Sequence, residues 1–280
     1  MKKIGKILAA NRSEIAIRIF RAAEESGIKT AAIYSKEDRF AIHRFKTDES
    51  YLVGEGKGPI QAYLDIDSII KIAKDAKVDA IHPGYGFLSE SPELAEQCEK
   101  NDITFIGPSK EILKRFGNKT EAKKVAEEAK VGTVPSVLVT KENLKSVEKE
   151  VEKIGYPVIV KASWGGGGRG MRVVRSSNEL IDQITTAQSE SLKAFGKDEV
   201  FIEKFLEDAA HIEVQILGDR HGNIIHLFGR DCSLQRRHQK IIERAPAHFL
   251  KNKTREEICS AAIKIAKQVK YFGAGTVEFL

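Results

Sequence analysis

The sequence predicts an α/β chain built in two styles. A parallel sheet with covering helices comes first, and a small α+β lid with the start of an antiparallel-sheet domain follows. Three observations carry this. Short apolar runs alternate with helix-period stretches over the first third of the chain; Pro157 to Val174 sets a glycine-rich stretch between two apolar, β-branched runs; and His211 to Gly229 alternates in strand fashion around a polar turn.

Lys6 to Ala10 reads as a strand, Ser13 to Ser26 as a helix with Ile15, Ile19 and Ala22 or Ala23 on one face, and Thr30 to Tyr34 as the next strand. This is a βαβ unit. The rhythm continues with a helix over Asp67 to Lys77, a strand at Ala80 to His82, a helix from Pro92 to Lys100 and a strand at Thr104 to Ile106. Such crossovers build a Rossmann-like parallel sheet, assigned to residues 1–106. Gly107-Pro108-Ser109 interrupts the pattern, and two helical stretches, Lys110 to Phe116 and Lys119 to Lys130, form a linker over 107–133.

Residues 134–205 read as the lid. Strands are expected at Ser136 to Val139, Pro157 to Lys161, Met171 to Val174 and Val200 to Lys204, with helices at Leu144 to Ile154 and Glu179 to Phe195. At its centre Lys161 precedes Gly165, Gly166, Gly167 and Gly168, where backbone N–H groups can approach an anion without Cβ obstruction. Lys161 supplies a fixed positive charge and Arg169 offers a second. A Walker loop would end in Gly-Lys-Ser/Thr and open a helix, and a Rossmann turn would also lead into a helix. Here the lysine comes first and a strand follows. What remains is a glycine flap between antiparallel strands, as in ATP-grasp enzymes, with a ligand-free surface hairpin as the plain alternative.

Residues 206–280 read as an incomplete C-terminal domain. His211 to Leu217 and Ile224 to Gly229 form a hairpin around Gly218 to Asn223. Gly273 to Leu280 reads as a strand that stops at the last residue with no obvious partner, so the expectation is a chain cut within a domain.

Composition narrows the function classes. The longest apolar runs fall far short of the roughly 18 residues of a membrane helix, and the start is too weakly apolar for a signal peptide. A cytoplasmic protein is expected, with no membrane partner. Cys98, Cys232 and Cys259 are odd in number and far apart, which suggests neither a disulfide framework nor a zinc site. The net charge of +6 comes from 46 basic and 40 acidic residues spread along the whole chain. Without aromatic residues interleaved among the cations, nucleic acid is not the expected partner.

Phosphoryl transfer needs cations around the phosphates, carboxylates for Mg²⁺ and a contact to the base. Lys161 and Lys119 could reach phosphates, although a lone helix lysine such as Lys119 is ordinarily a solvated charge. Phe201 to Leu206 could serve as an adenine hinge or be an ordinary edge strand. Arg230 to Glu243 is the densest cationic cluster; if extended, it points Arg236, His238 and Lys240 to one side, where a substrate oxyanion would sit. Glu278 lies in an apolar strand, where Mg²⁺ or a lysine partner would offset the cost of burial, unless the edge is exposed. His82 to Glu90 follows a strand at the carboxyl edge of the first sheet, which ligands favour.

HPGYGFLSE at 82–90, KASWGGGGRGMRVV at 161–174, EKFLE at 203–207, RDCSLQRRHQK at 230–240 and GAGTVEFL at 273–280 together resemble the biotin carboxylase family of ATP-grasp enzymes, in order and along the whole chain. Trp164 and YLVGEGKGPIQAYLDI at 51–66 make it most similar to the biotin carboxylase portion of pyruvate carboxylases, with acyl-CoA carboxylase subunits sharing most motifs. The resemblance implies Mg-ATP (or Mn-ATP) and bicarbonate forming carboxyphosphate, which carboxylates biotin on a carrier domain. It implies that Lys119, Lys161 and Gly165 to Gly168 hold ATP phosphates, and that Glu203, Lys204 and Leu206 line the adenine pocket. His211, Gln235 and His238 would contact ribose and phosphates, Lys240 would bind bicarbonate with His238 beside it as the second catalytic candidate, Glu278 would ligate the metal, and Tyr85 with Gly86 would lie near biotin. Implied partners are a biotin carboxyl carrier, a carboxyltransferase and further copies of the chain in a homo-oligomer.

Gly229 stands where the family has an acidic residue. The family's second metal-binding glutamate, its neighbouring asparagine, the bicarbonate-binding arginine, the glutamate base and the enolate-facing arginine fall beyond the equivalent of Leu280, so the chain is not expected to turn over alone. Two alternatives stay open: an ATP-grasp ligase with another acceptor, as in carbamoyl-phosphate or purine synthesis, and a nucleotide-binding fragment without catalysis.

Overall fold

Five short runs pair into one parallel sheet in the order β3-β2-β1-β4-β5. In chain order the first part holds β1 (Lys6–Ala9), α1 (Ser13–Glu25), β2 (Lys29–Tyr34), β3 (Glu49–Leu52), α2 (Pro59–Tyr63), α3 (Ile66–Asp75), β4 (Ala80–His82), α4 (Pro92–Lys100), β5 (Thr104–Phe105) and α5 (Lys110–Phe116). This computed structural model describes residues 3–140, 143–144, 146–163, 171–236 and 239–280, and the chain divides into two units, Met1–Lys114 and Arg115–Leu280.

In the first unit, alternate residues of the central strands feed two cores. Leu8, Ile33 and Ile81 pack with Ile69 and Leu94 on one face, while Ala9, Ala32 and Ala80 pack against Ala16, Ile19 and Phe20 of α1 on the other. Each fully buried Leu or Ile stabilises the fold by roughly 1.5–3 kcal/mol. Local signals set the helix starts. The Asp65 carboxylate accepts from Ser68 N at 3.4 Å to cap α3, and Ser91 Oγ accepts from Leu94 N at 3.1 Å to cap α4, with Pro92 in its first turn. Chain order reverses between β1 and β4, and buried Asn11 just beyond β1 donates to both Pro83 O and Tyr85 O at 2.8 Å. Gly84, at φ +68°, leaves room for that amide, which a Cβ would strike.

The second unit holds α6 (Lys119–Glu128), β6 (Ser136–Val139), α7 (Val147–Ile154), β7 (Val158–Ala162), β8 (Arg172–Val174), α8 (Ser177–Phe195) and β9 (Val200–Lys204). Its strands pair antiparallel in the order β6-β9-β7-β8. Val147, Val151, Leu180, Ile184 and Ala187 cover one face with Val158, Val160, Val174, Val200 and Ile202. A second sheet follows, built from β10 (Ile212–Gly218), β11 (Ile224–Arg236), β12 (Gln239–Arg244) and β13 (Gly273–Phe279) in the order β12-β11-β10-β13, with α9 (Asn252–Gln268) between β12 and β13 in sequence. Val214, Ile216, Val277 and Phe279 pack with Cys259, Ala262 and Ala266 of α9.

Three expectations are corrected. β9 is no edge strand, because β6 and β7 pair with it on its two sides; its consecutive residues Val200 to Glu203 are all buried, so both faces are covered. β13 has a partner along its whole length, from Ile212↔Phe279 to Gly218↔Gly273, so the final strand does not want for pairing. The run from Arg230 to Glu243 is not one extended stretch. Gln235 pairs with Lys240 and Arg236 with Gln239, so the cluster folds back as two antiparallel strands and Lys240 lies across from Gln235 rather than in line with Arg236. Among the described residues no helix is long and apolar enough to cross a membrane. All three cysteines are free and buried.

Candidate functional site

Lys161 lies near the end of β7, and its cross-strand neighbourhood on β9 supplies a carboxylate. Nζ is 2.5 Å from Glu203 Oε2, and Glu203 is buried. The other oxygen, Oε1, lies 2.5 Å from Nζ of Lys123 on α6. Lys123 also donates to Val134 O at 2.8 Å and stands 5.6 Å from the centre of the Phe201 ring. Burial pushes the Glu203 carboxyl up, but the Lys161 and Lys123 ammonium groups together outweigh it and hold the group below its ordinary value. Three side chains from three elements thus make one ionised cluster.

Lys119 opens α6, and its backbone N–H donates to Ser163 O at 3.4 Å, which sets the helix start beside the end of β7. Asn118 caps this helix, its Oδ1 accepting from Thr120 N at 2.8 Å and Glu121 N at 3.2 Å. Lys119 and Lys123 are four residues apart on one helix and share a face. The Lys204 ammonium is turned to the backbone, donating to Gly155 O and Tyr156 O at 3.0 Å each, so the side chain anchors the turn before β7. The Lys204 and Phe205 N–H groups donate to Pro135 O and Pro157 O, and Leu206 beyond them is exposed.

The second sheet turns its apolar face to α9 and gathers charge on the other. Strand alternation puts His211, Glu213 and Gln215 on the face opposite Ile212, Val214 and Ile216. Cross-strand register then sets Glu213 opposite both Arg230 and Glu278, and Gln235 opposite Lys240. Buried Glu213 is ion-paired with Lys240 and Arg230, and Lys240 Nζ also contacts Glu278 Oε1 at 2.7 Å. Burial raises the Glu213 carboxyl, and Lys240 with Arg230 overcomes this and keeps it ionised. For Lys240, burial works against the charge, but Glu213 and Glu278 raise its pKa well above the ordinary lysine value.

Gln235 Nε2 lies 2.8 Å from His211 Nδ1 and 3.0 Å from Cys232 O. An amide NH₂ only donates, so Nδ1 accepts and the ring proton sits on Nε2, 3.6 Å from Glu278 Oε1. His211 and Lys240 together bring the Glu278 carboxyl down to about 2 against the effect of burial. Of the two ways to relieve a carboxylate here, the lysine partner is present in the fold.

Tyr85 and Gly86 belong to the first unit, in the loop after β4. Tyr85 is exposed, its hydroxyl bonded to the Glu14 carboxylate, which raises the phenol pKa; Gly86 takes φ +64°. Gly165, Gly166, Gly167, Gly168 and His238 lie outside the described residues.

Three participants escaped the sequence reading. Lys123 had a signal in its i+4 spacing from Lys119, and Glu213 in its two-residue spacing from His211 on one strand face. Arg230 was one cation in a crowded run; only the register to Glu213 distinguishes it.

Residues 3–113 match the family described as biotin carboxylase, N-terminal domain, and residues 118–280 the family described as carbamoyl-phosphate synthase L chain, ATP binding domain. The pyruvate carboxylase of Bacillus subtilis is 57% identical over 279 residues, covering 100% of this chain and 24% of that protein. Among solved structures, the Campylobacter jejuni biotin carboxylase in complex with β-γ-ATP superposes with a TM-score of 0.95 at 45% identity, over 99% of this chain and 62% of that one. The biotin carboxylase domain dimer of the Hydrogenobacter thermophilus 2-oxoglutarate carboxylase, in complex with MgADP, ADP and bicarbonate, gives 0.94 at 44% identity, over 100% of this chain and 61% of that one. The chain spans about a quarter of the length of the curated relatives it matches.

Proposed function

The chain belongs to the biotin carboxylase family, and from that premise we propose that it supplies the nucleotide- and bicarbonate-binding part of an ATP-dependent biotin carboxylation. The observation that carries the reading is the Lys240 network. An ammonium held charged between Glu213 and Glu278, beside His211 and Gln235, offers a fixed cation for bicarbonate next to a carboxylate suited to a metal. A hard cation such as Mg²⁺ takes one or two carboxylates together with water and phosphate oxygens. Glu278, ionised and half exposed, fits as one such ligand. When bound, the metal would neutralise phosphate charge as the γ-phosphoryl passes to bicarbonate.

In this reading Lys161 and Lys119 hold phosphate oxygens with the glycines at 165–168. The strand end from Glu203 to Leu206 takes the adenine, and His238 stands with Lys240 at the bicarbonate. Tyr85 and Gly86 face biotin, which a carrier domain delivers. Bicarbonate is the acceptor supported by the relative bound to it, and an ATP-grasp ligase with another acceptor is disfavoured by the biotin carboxylase match over 3–113. Pyruvate as the final acceptor rests on the names of the relatives, and a carboxyltransferase partner and self-association follow from the same likeness. The cytoplasm suits three unoxidised buried thiols.

The test is ADP release from Mg-ATP in the polypeptide that carries these residues at the length of its relatives. Release should depend on bicarbonate, and Lys240→Met should lower it by about a hundredfold or more while leaving ADP affinity within about threefold. ADP release that ignores bicarbonate overturns the reading.

A further inference from the structure

Glu203 is one buried carboxylate shared by two ammonium groups, one on each oxygen. The two lysines are not alike. Lys161 stands near the end of β7, next to the glycine stretch, whereas Lys123 is fixed from three sides by Glu203, by Val134 O at 2.8 Å and by the Phe201 ring. A buried carboxylate left with a single cation holds that cation tightly, because burial leaves little water to screen the pair. A second, immobile cation removes the need.

We propose that Lys123 is a positioning residue for nucleotide binding: it neutralises Glu203 so that Lys161 is free to turn from that carboxylate to the phosphate tail. The inference rests on the nucleotide reading above and adds a residue to it. Lys123 touches no phosphate itself; it acts through Glu203 and Lys161. Loss of its charge leaves Lys161 as the main counter-ion of Glu203 and pins it there. The cost therefore falls on ligands that carry phosphate and spares the adenosine moiety.

The experiment measures ADP by calorimetric titration and adenosine by ligand-observed NMR on the 280-residue chain. Lys123→Met should weaken ADP by about tenfold or more and leave adenosine within about twofold, while Lys123→Arg keeps both near the parent values. A role in merely shaping the hinge would weaken both ligands together, and that result overturns the proposal. A second comparison stands even if Lys123→Met alone folds poorly. With Glu203→Gln in place no carboxylate competes for Lys161, so adding Lys123→Met should change ADP affinity by less than about twofold. A full loss in that background also overturns it. Failure of the unsubstituted chain to bind ADP or adenosine is a different outcome, which removes the nucleotide reading and the inference with it.

Discussion

Glu203 shows how a single residue can tie stability to pH. Its folded-state pKa lies below the unfolded value of about 4.3, so its ion pairs contribute fully above that pH and are lost as the pH falls through the depressed value. Glu213 follows the same sign, and Glu278 extends the window down to about 2. Denaturant unfolding followed from pH 7 to pH 2.5 should thus show the carboxylate loss setting in below about 4.3, after a separate decline below about 6.5 from His43 and His82, whose pKa values burial lowers. Glu203→Gln should cost up to about 3 kcal/mol at pH 7, because two half-buried cations lose their buried anion, and should flatten the acid slope. An unchanged slope in that variant would sink the assignment. Residues of this kind differ in how far the sequence reveals them. Lys161 is legible because the glycines beside it are rare in ordinary hairpins. Lys123 is far less so: its i+4 spacing from Lys119 marks a shared helix face, but one more lysine on an amphipathic helix looks solvated until the fold brings β9 against it.

Elements were legible where periodicity was strong and blurred where pairing decided the outcome. The helix at Pro92–Lys100 and the strand at Val200–Lys204 match their sequence-based bounds, because a capping serine with proline marks one and a β-branched run the other. β3 went unread: Glu49-Ser50-Tyr51-Leu52 has little strand character, and only its pairing with β2 makes it a strand. The hairpin of β11 and β12 was hidden for a related reason, since a run of cations carries no turn signal for the Gln235↔Lys240 register. α6 offers a test at this scale. It starts on Asn118, and its first turn carries Lys119, with Lys123 one turn on, so its cap fixes where both ammonium groups stand. Asn118→Ala should destabilise the chain by about 1 kcal/mol and also weaken ADP, whereas Ser91→Ala at the cap of α4 should cost similar stability and leave ADP affinity alone. Melting curves paired with ADP titrations on the two variants check this, and equal effects on ADP would refute a specific role for α6.

At the scale of the whole molecule, chemistry and fold divide at the same place. The first unit builds its cores from residues between Ile4 and Ile106, around the parallel sheet. The second unit builds its own, one under α7 and α8 and others around α9. Every residue assigned here to phosphate, adenine, bicarbonate or metal lies between Lys119 and Glu278, within the second unit, and only Tyr85 and Gly86 lie in the first. A unit of this size with its own buried cores is large enough to fold alone. Residues 115–280 expressed alone should therefore melt cooperatively and bind ADP within about threefold of the 280-residue chain, a difference of under 1 kcal/mol. The reading predicts the opposite for residues 1–114, which should fold on their parallel sheet and show no ADP binding. If 115–280 folds but loses ADP, the nucleotide contacts needed for affinity are not all on the second unit, and the assignment of the adenine and phosphate roles to Lys119, Lys161 and Glu203 to Leu206 alone is wrong.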